Sequence, residues 1–143
     1  MQPDLHIDIS DNTPEADMDV ILEGVREYNR NNCGPDKNRP LNIIIRDDQN
    51  NIIAGLLADT WGQVCYIHTV WTAQHRRHTG LGTRLMQNAE QHAKQRGCTI
   101  AYVDTYSFQA PDFYTKFGFK PIATLDGFPR NIVQRFYRKT ISD

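Results

Sequence analysis

Residues 63–97 read QVCYIHTVWTAQHRRHTGLGTRLMQNAEQHAKQRG, and the fold follows from how this stretch changes character along its length. Gln63 to Thr72 is apolar on both alternating sets, Val64, Tyr66 and Val70 against Cys65, Ile67 and Trp71, which is the pattern of a central strand. From Leu81 the period becomes helical. Leu81, Leu85, Ala89 and Ala93 recur every four residues with Met86 beside them, Glu90 and Lys94 add an i,i+4 pair, and Gly97 supplies the stop. Between strand and helix lies Arg77-His78-Thr79-Gly80-Leu81-Gly82, preceded by Gln74, His75 and Arg76. The first amides of a helix lack backbone partners, and the helix dipole favours an anion there. Gly80 and Gly82 allow close approach of a ligand to the backbone, while Arg76 and Arg77 screen its charge. The stretch therefore predicts a phosphate cradle. Two nucleotide motifs fail on it: a dinucleotide fingerprint needs a glycine where Leu85 stands, and a P-loop needs a Gly-Lys-Ser/Thr that the chain lacks.

Downstream, Thr99 to Thr105 reads as a second buried strand, so strand, helix and strand form a right-handed parallel crossover. Ala110 to Phe117 follows as a short aromatic helix, then Phe119 to Ala123 and Ile132 to Arg138 as strands around a Gly127-Phe128-Pro129 loop. Upstream, Leu41 to Arg46 and Ile52 to Thr60 flank Asp47-Asp48-Gln49-Asn50-Asn51 and predict a hairpin, with Trp61-Gly62 as the next turn. Thr13-Pro14-Glu15 marks a helix start, with a capping hydroxyl and proline at the first helical position. That helix runs to about Asn29, its apolar face carried by Met18, Ile21, Leu22 and Val25. Leu5 to Ile9 alternates as a half-exposed strand does, and Asn29 to Pro40 is a polar loop.

The 143 residues suit one domain, 1–143, and the formal charge of −1 offers no field for nucleic acid or an anionic membrane. Cys33, Cys65 and Cys98 are odd in number and widely spaced, which predicts a reduced, cytoplasmic protein without structural zinc. His75 and His78 have no acid or cysteine at ligand spacing, so no metal is expected. No apolar run approaches the ~20 residues of a membrane helix, and acids occupy the N-terminus where a signal peptide would be basic and then apolar.

Arg77, Gly80 and Gly82 meet an Arg/Gln-x-x-Gly-x-Gly/Ala pattern between strand and helix, and Phe113-Tyr114-Thr115-Lys116-Phe117-Gly118-Phe119 follows the second crossover strand. With both landmarks in this order, the chain resembles the GNAT superfamily of acetyl-CoA-dependent N-acetyltransferases, over nearly its whole length and best from Val64 to Phe119. The resemblance implies an α/β (α+β) domain with a mixed, mostly antiparallel sheet of about seven strands, helices on both faces and a splayed parallel pair of central strands. It implies acetyl-CoA as cosubstrate. The backbone of Val70, Trp71 and Thr72 would bond the pantetheine arm, and Arg77, His78, Thr79, Gly80, Leu81, Gly82 and Thr83 would wrap the pyrophosphate. Phe113 and Lys116 are carried over as cofactor contacts. Many members hold the arm with an asparagine three residues before the alanine of the aromatic helix. Here that position is Ser107, so Ser107 or Gln109 takes its place. The acceptor is a primary amine, of a small molecule by preference, and homodimers are common in the family.

Tyr114 matches the family's proton donor to the departing thiolate. A thiol of pKa ~8.5 leaves more readily when a phenol of pKa ~10 protonates it as charge develops. The residues alone favour Tyr114 packing with Phe113, Phe117 and Phe119, since an aromatic cluster is more often core than site. The amine must lose a proton to expose its lone pair. The family often has a glutamate for this on the first crossover strand, and none occurs between Gln63 and Trp71, leaving His68, Asp104 or ordered water. Asp59, Trp61, Tyr66 and Phe128 fall on the acceptor side. Two other readings stay open: a non-catalytic acyl-CoA sensor, favoured by the missing glutamate, and an acetyltransferase acting on a protein amine.

Overall fold

The computed structural model of the chain describes residues 4–110 and 112–142. It divides into two compact units, Met1–Asp36 and Lys37–Asp143. The first contains α1, Glu15–Asn32, with Pro14 in extended conformation at its N-cap and no side-chain cap bond. Thr13 thus does not serve as the cap. The Pro14 carbonyl accepts from the amides of Asp17 and Met18 at 3.0 and 3.2 Å. The helix also outruns its expected end at Asn29: the Asn32 side-chain amide donates to the Tyr28 carbonyl at 2.8 Å, and Cys33 N–H closes on Asn29. Leu5 to Ile9 joins no ladder, so the sheet has six strands where about seven were expected. Alternation sorts side chains onto two faces, but a strand needs a neighbour to supply main-chain partners.

The second unit is a six-stranded sheet in the order β1-β2-β3-β4-β6-β5. Its strands are β1 (Arg39–Arg46), β2 (Ile52–Trp61), β3 (Val64–Thr72), β4 (Ile100–Tyr106), β5 (Lys120–Leu125) and β6 (Gln134–Thr140). Every pairing is antiparallel except β3 with β4, the central parallel pair. In the β1–β2 turn the Asp47 carboxylate accepts the amides of Gln49 and Asn51 at 3.0 and 2.8 Å. These bonds hold the Asp47 carboxyl below its ordinary range, with the Asn51 amide first among the causes. Trp61 ends β2 instead of opening the next turn, which is made at Gly62 with φ +57°.

Between β3 and β4 runs α2, Leu81–Gln95. Leu85, Met86, Ala89 and Ala93 face the sheet and pack into one core with Leu56, Ala58, Cys65, Ile67, Ala101 and Val103. The two alanines a turn apart bring the helix close to the sheet, and burying each large apolar side chain here contributes on the order of 2 kcal/mol. Past the last turn, Arg96 Nη1 donates to the carbonyls of Arg39 and Pro40 at 3.3 and 3.0 Å and to Thr60 Oγ1 at 3.0 Å. The aromatic helix is shorter than Ala110 to Phe117: α3 spans Asp112–Thr115 and ends as Phe119 N–H turns back onto the Tyr114 carbonyl at 3.3 Å.

Candidate active site

The site begins with an irregularity in β3. Against β2, Leu57 pairs with Thr69 but Ala58 pairs with Ile67, so His68 is an extra residue with no partner opposite. Such a bulge re-aims side chains and bends its strand. On the other edge of β3, pairing with β4 runs from Val64–Ile100 to Ile67–Val103 and then stops. Beyond this point the strands no longer pair, and a groove of about 940 Å³ is lined by residues 68–72 of β3 and by Asp104 and Thr105 of β4. The expected splay between the two central strands is therefore present, and it starts at the bulge.

At one end the groove meets the start of α2. A 3₁₀ turn, Gln74–Arg76, leads to His78, which has φ +64°, and to Gly80 at φ +85°, a left-handed conformation suited to glycine. Arg84 N–H is the first amide to pair in the helix, with the Gly80 carbonyl at 3.2 Å, so the amides of Leu81, Gly82 and Thr83 precede the ladder. No side chain caps them and no acid occupies the first turn. Arg76, Arg77 and His78 line the same region, and Arg77 Nε reaches the Thr72 carbonyl at 3.4 Å. Unpaired amides with basic neighbours suit an anion. Gly82 serves a second need besides ligand approach. A Cβ placed there would lie 2.9 Å from Phe113 Cε2, so the missing side chain makes room for the aromatic ring.

Against the cradle packs α3, through Phe113. Tyr114, 9% exposed, packs edge-on with Phe113 and Phe119 at ring separations of 5.1 and 6.1 Å and lines the groove. Burial, and after it the charge of Asp104, pushes its phenol up to about 12. The hydroxyl therefore keeps its proton at neutral pH and can give it to a developing anion. Tyr114 is thus an aromatic core residue that also lines the groove.

Asp104 lines the groove with both oxygens engaged: Tyr66 Oη donates to Oδ1 at 2.6 Å, and Gln134 Nε2 donates to Oδ2 at 3.0 Å. The bond to Asp104, then burial, raises the Tyr66 phenol above its ordinary range, and burial raises that of Tyr102, stacked on Tyr66 at 4.5 Å. His68 also lines the groove.

Most residues singled out in the sequence come together on this groove: His68, Val70, Trp71, Thr72, Arg77, His78, Gly80, Leu81, Gly82, Thr83, Asp104, Gln109, Phe113, Tyr114 and Lys116. Thr79 does not line it, and its hydroxyl turns back to the Arg76 carbonyl. Ser107 is likewise engaged elsewhere. Its N–H donates to the Val133 carbonyl at 2.8 Å and its hydroxyl accepts the Val133 N–H at 3.0 Å. Gln109 Oε1 accepts from Thr105 Oγ1 and Tyr106 N–H at 2.8 and 3.0 Å, which leaves the NH₂ end of the amide for another partner. Sequence reading missed Thr69 and Phe108 as groove residues. The Tyr-x-Phe spacing of Tyr106 and Phe108, stacked at 5.7 Å, was the available signal for the last.

Comparison with known proteins gives the family and the fold. The model of the acetyltransferase (GNAT) family matches residues 9–119. The chain is 33% identical over 106 residues to acetyltransferase Atu2258 of Agrobacterium fabrum, covering 74% of this chain and 77% of that protein. It is 29% identical over 107 residues to the blasticidin-S acetyltransferase of Streptomyces morookaense, covering 72% and 79%. A crystal structure from Agrobacterium tumefaciens assigned as an acetyltransferase superposes with a TM-score of 0.86 at 28% identity, over 95% of this chain and 99% of that one.

Proposed function

The chain belongs to the GNAT acetyltransferase family, and on that footing we propose that it transfers acetyl from acetyl-CoA to a primary amine of a small molecule by direct attack. The observation that carries this reading is the groove itself, which runs from the unpaired amides of α2 to the Tyr114 hydroxyl along an unpaired edge of β3. That edge offers backbone groups of Val70 to Thr72 to an extended amide-bearing arm, as a missing strand would. The amides of Leu81 to Thr83, with Arg76 and Arg77, suit a pyrophosphate. Gln109, with its NH₂ end still to pair, stands in for the usual asparagine, since Ser107 is committed to Val133.

Acetyl-CoA supplies an activated acyl group: the amine nitrogen bonds to the acetyl carbon as the carbon–sulfur bond breaks. Tyr114 gives its proton to the leaving sulfur. His68 takes the proton that the incoming amine must lose, while Asp104, bonded to Tyr66 and Gln134, holds the wall beside it. No covalent enzyme intermediate is needed. Cys65 and Cys98 are buried, and burial raises both thiols above their ordinary range, Cys65 to about 12, which disfavours the nucleophilic thiolate. The 29% identity to a blasticidin-S acetyltransferase supports a small-molecule acceptor. The family match spans residues of both compact units, which supports one domain over 1–143.

The test is thiol release from acetyl-CoA with a panel of small amines and a peptide amine. Turnover with a small amine is expected. Tight acetyl-CoA binding without turnover on any amine would make the protein an acyl-CoA sensor instead. A cocrystal with coenzyme A is expected to show the pyrophosphate at 77–83, and density elsewhere would overturn the cofactor assignment.

A further inference from the structure

His68 is held by two contacts, one on each ring nitrogen. Nε2 lies 3.3 Å from Asp59 Oδ2, on β2, and Nδ1 lies 3.2 Å from Thr69 Oγ1. The bulge makes this arrangement: because His68 has no partner opposite it, both His68 and Thr69 reach the groove wall, while Asp59 does not line the groove. Tyr66 flanks the ring at a centroid distance of 5.5 Å, with its hydroxyl engaged by Asp104.

The chemistry of the contacts assigns the protons. An ionised carboxylate only accepts, so an Asp59 oxygen 3.3 Å away favours hydrogen on Nε2 when the imidazole is neutral. The lone pair then lies on Nδ1, and Thr69 Oγ1 is the group that donates to it. A hydroxyl both donates and accepts, so Thr69 can take a proton from the groove as it gives its own to the ring.

We propose that Asp59 is a positioning residue that fixes His68 as the Nε2–H tautomer, and that Thr69 relays the acceptor's proton to Nδ1. This rests on the reading of His68 as base. In the relay, an ammonium N–H gives its proton to Thr69 Oγ1 while the Thr69 hydroxyl proton moves to Nδ1. Asp59 stays ionised and faces the imidazolium. The proton then leaves His68 for water, and the neutral amine is ready to attack. Hydrogen-bond partners of a functional imidazole commonly set its tautomer in this way.

Long-range proton–nitrogen NMR on ¹⁵N-histidine protein, with His68 assigned through His68→Gln, reads the tautomer without any substrate. The neutral His68 ring is expected as Nε2–H. In Asp59→Asn the amide can donate as well as accept, so the other tautomer should become populated. In the kinetic arm, Asp59→Asn is expected to lower kcat about 10- to 100-fold, with the KM for acetyl-CoA unchanged and Asp59→Glu recovering part of the loss. Thr69→Val should lower kcat by a similar factor. Melting curves of each variant verify folding. A wild-type ring in the Nδ1–H form overturns the proposal whatever the kinetics show, as does wild-type kcat in Asp59→Asn or Thr69→Val. Absence of turnover on every amine in the wild type would instead overturn the function it rests on, while the spectrum still decides the tautomer.

Discussion

The two halves of β3 differ more from each other than β3 does from its neighbours. From Val64 to Ile67 the strand is paired on both edges, and Cys65 and Ile67 are 1% and 3% exposed in the core. Beyond Ile67, His68 has no partner, Thr69 to Thr72 are paired with β2 alone, and all five residues line the groove. Composition hardly separates the halves, since both mix aliphatic, aromatic and polar residues. What separates them is one unmatched residue and the loss of one neighbour. A core strand becomes a binding wall when its pairing changes, with no change in residue type.

The sharpest way to break this contrast is at the far side of the open half. Tyr114→Phe keeps the aromatic packing but removes the proton, so kcat is expected to fall about 100-fold or more, with the melting temperature nearly unchanged. A comparable loss of stability and activity would mean that the hydroxyl is structural. Next come paired substitutions across the bulge. Ile67→Ala, in the closed half, should lower unfolding free energy by about 2–5 kcal/mol in urea titration, with activity per folded molecule retained. Trp71→Ala, 48% exposed in the open half, should do the reverse: little change in stability, and a raised KM for acetyl-CoA. Gly82→Ala should be milder, destabilising by about 1–3 kcal/mol as the Phe113 ring is forced to shift, read from the same titration.

The gentlest probe is alkali. The closed half stacks Tyr66 on Tyr102, and Tyr114 lies across the groove. All three phenols are raised in the folded state, Tyr114 to about 12 from an ordinary 10.0. At pH below 10 they are neutral in folded and unfolded chains alike, and their contribution to stability is complete. As pH rises above 10 the unfolded chain loses these protons first, so stability should fall progressively toward pH 12, by no more than ~1.4 kcal/mol per unit for each tyrosine. Thermal melts across this window should show the slope, and Tyr66→Phe should flatten it. An unchanged slope would mean that the Tyr66–Asp104 bond does not persist in solution.

The parts of this molecule legible in the sequence are those built by local rules. Helix α2 announced itself through Leu81, Leu85, Ala89 and Ala93, and the turn before it through Gly80, whose left-handed φ only local geometry demands. The parallel crossover followed from connectivity. Features set by distant partners were not legible. The bulge at His68 exists only in the register against β2, and Asp59 meets His68 only because of that register. Ser107 could be proposed for a ligand because nothing local revealed its two bonds to Val133. Gly82 was read as room for a ligand, and its second role, leaving space for the ring of Phe113 far along the chain, was not legible. Leu5 to Ile9 shows the converse failure, a local pattern that found no distant partner.

The bulge also means that β3 is written in two phases. Ile67 and Val70, three residues apart, both pack on the core, where an uninterrupted strand would return a side chain to the same face after two. Deleting one residue between them would bring the phases into step and remove the bulge, leaving Val70 inward and Trp71 outward but taking away the unmatched residue that the bulge sets on the groove. The place of His68 on the groove therefore depends on the length of this strand as much as on its composition.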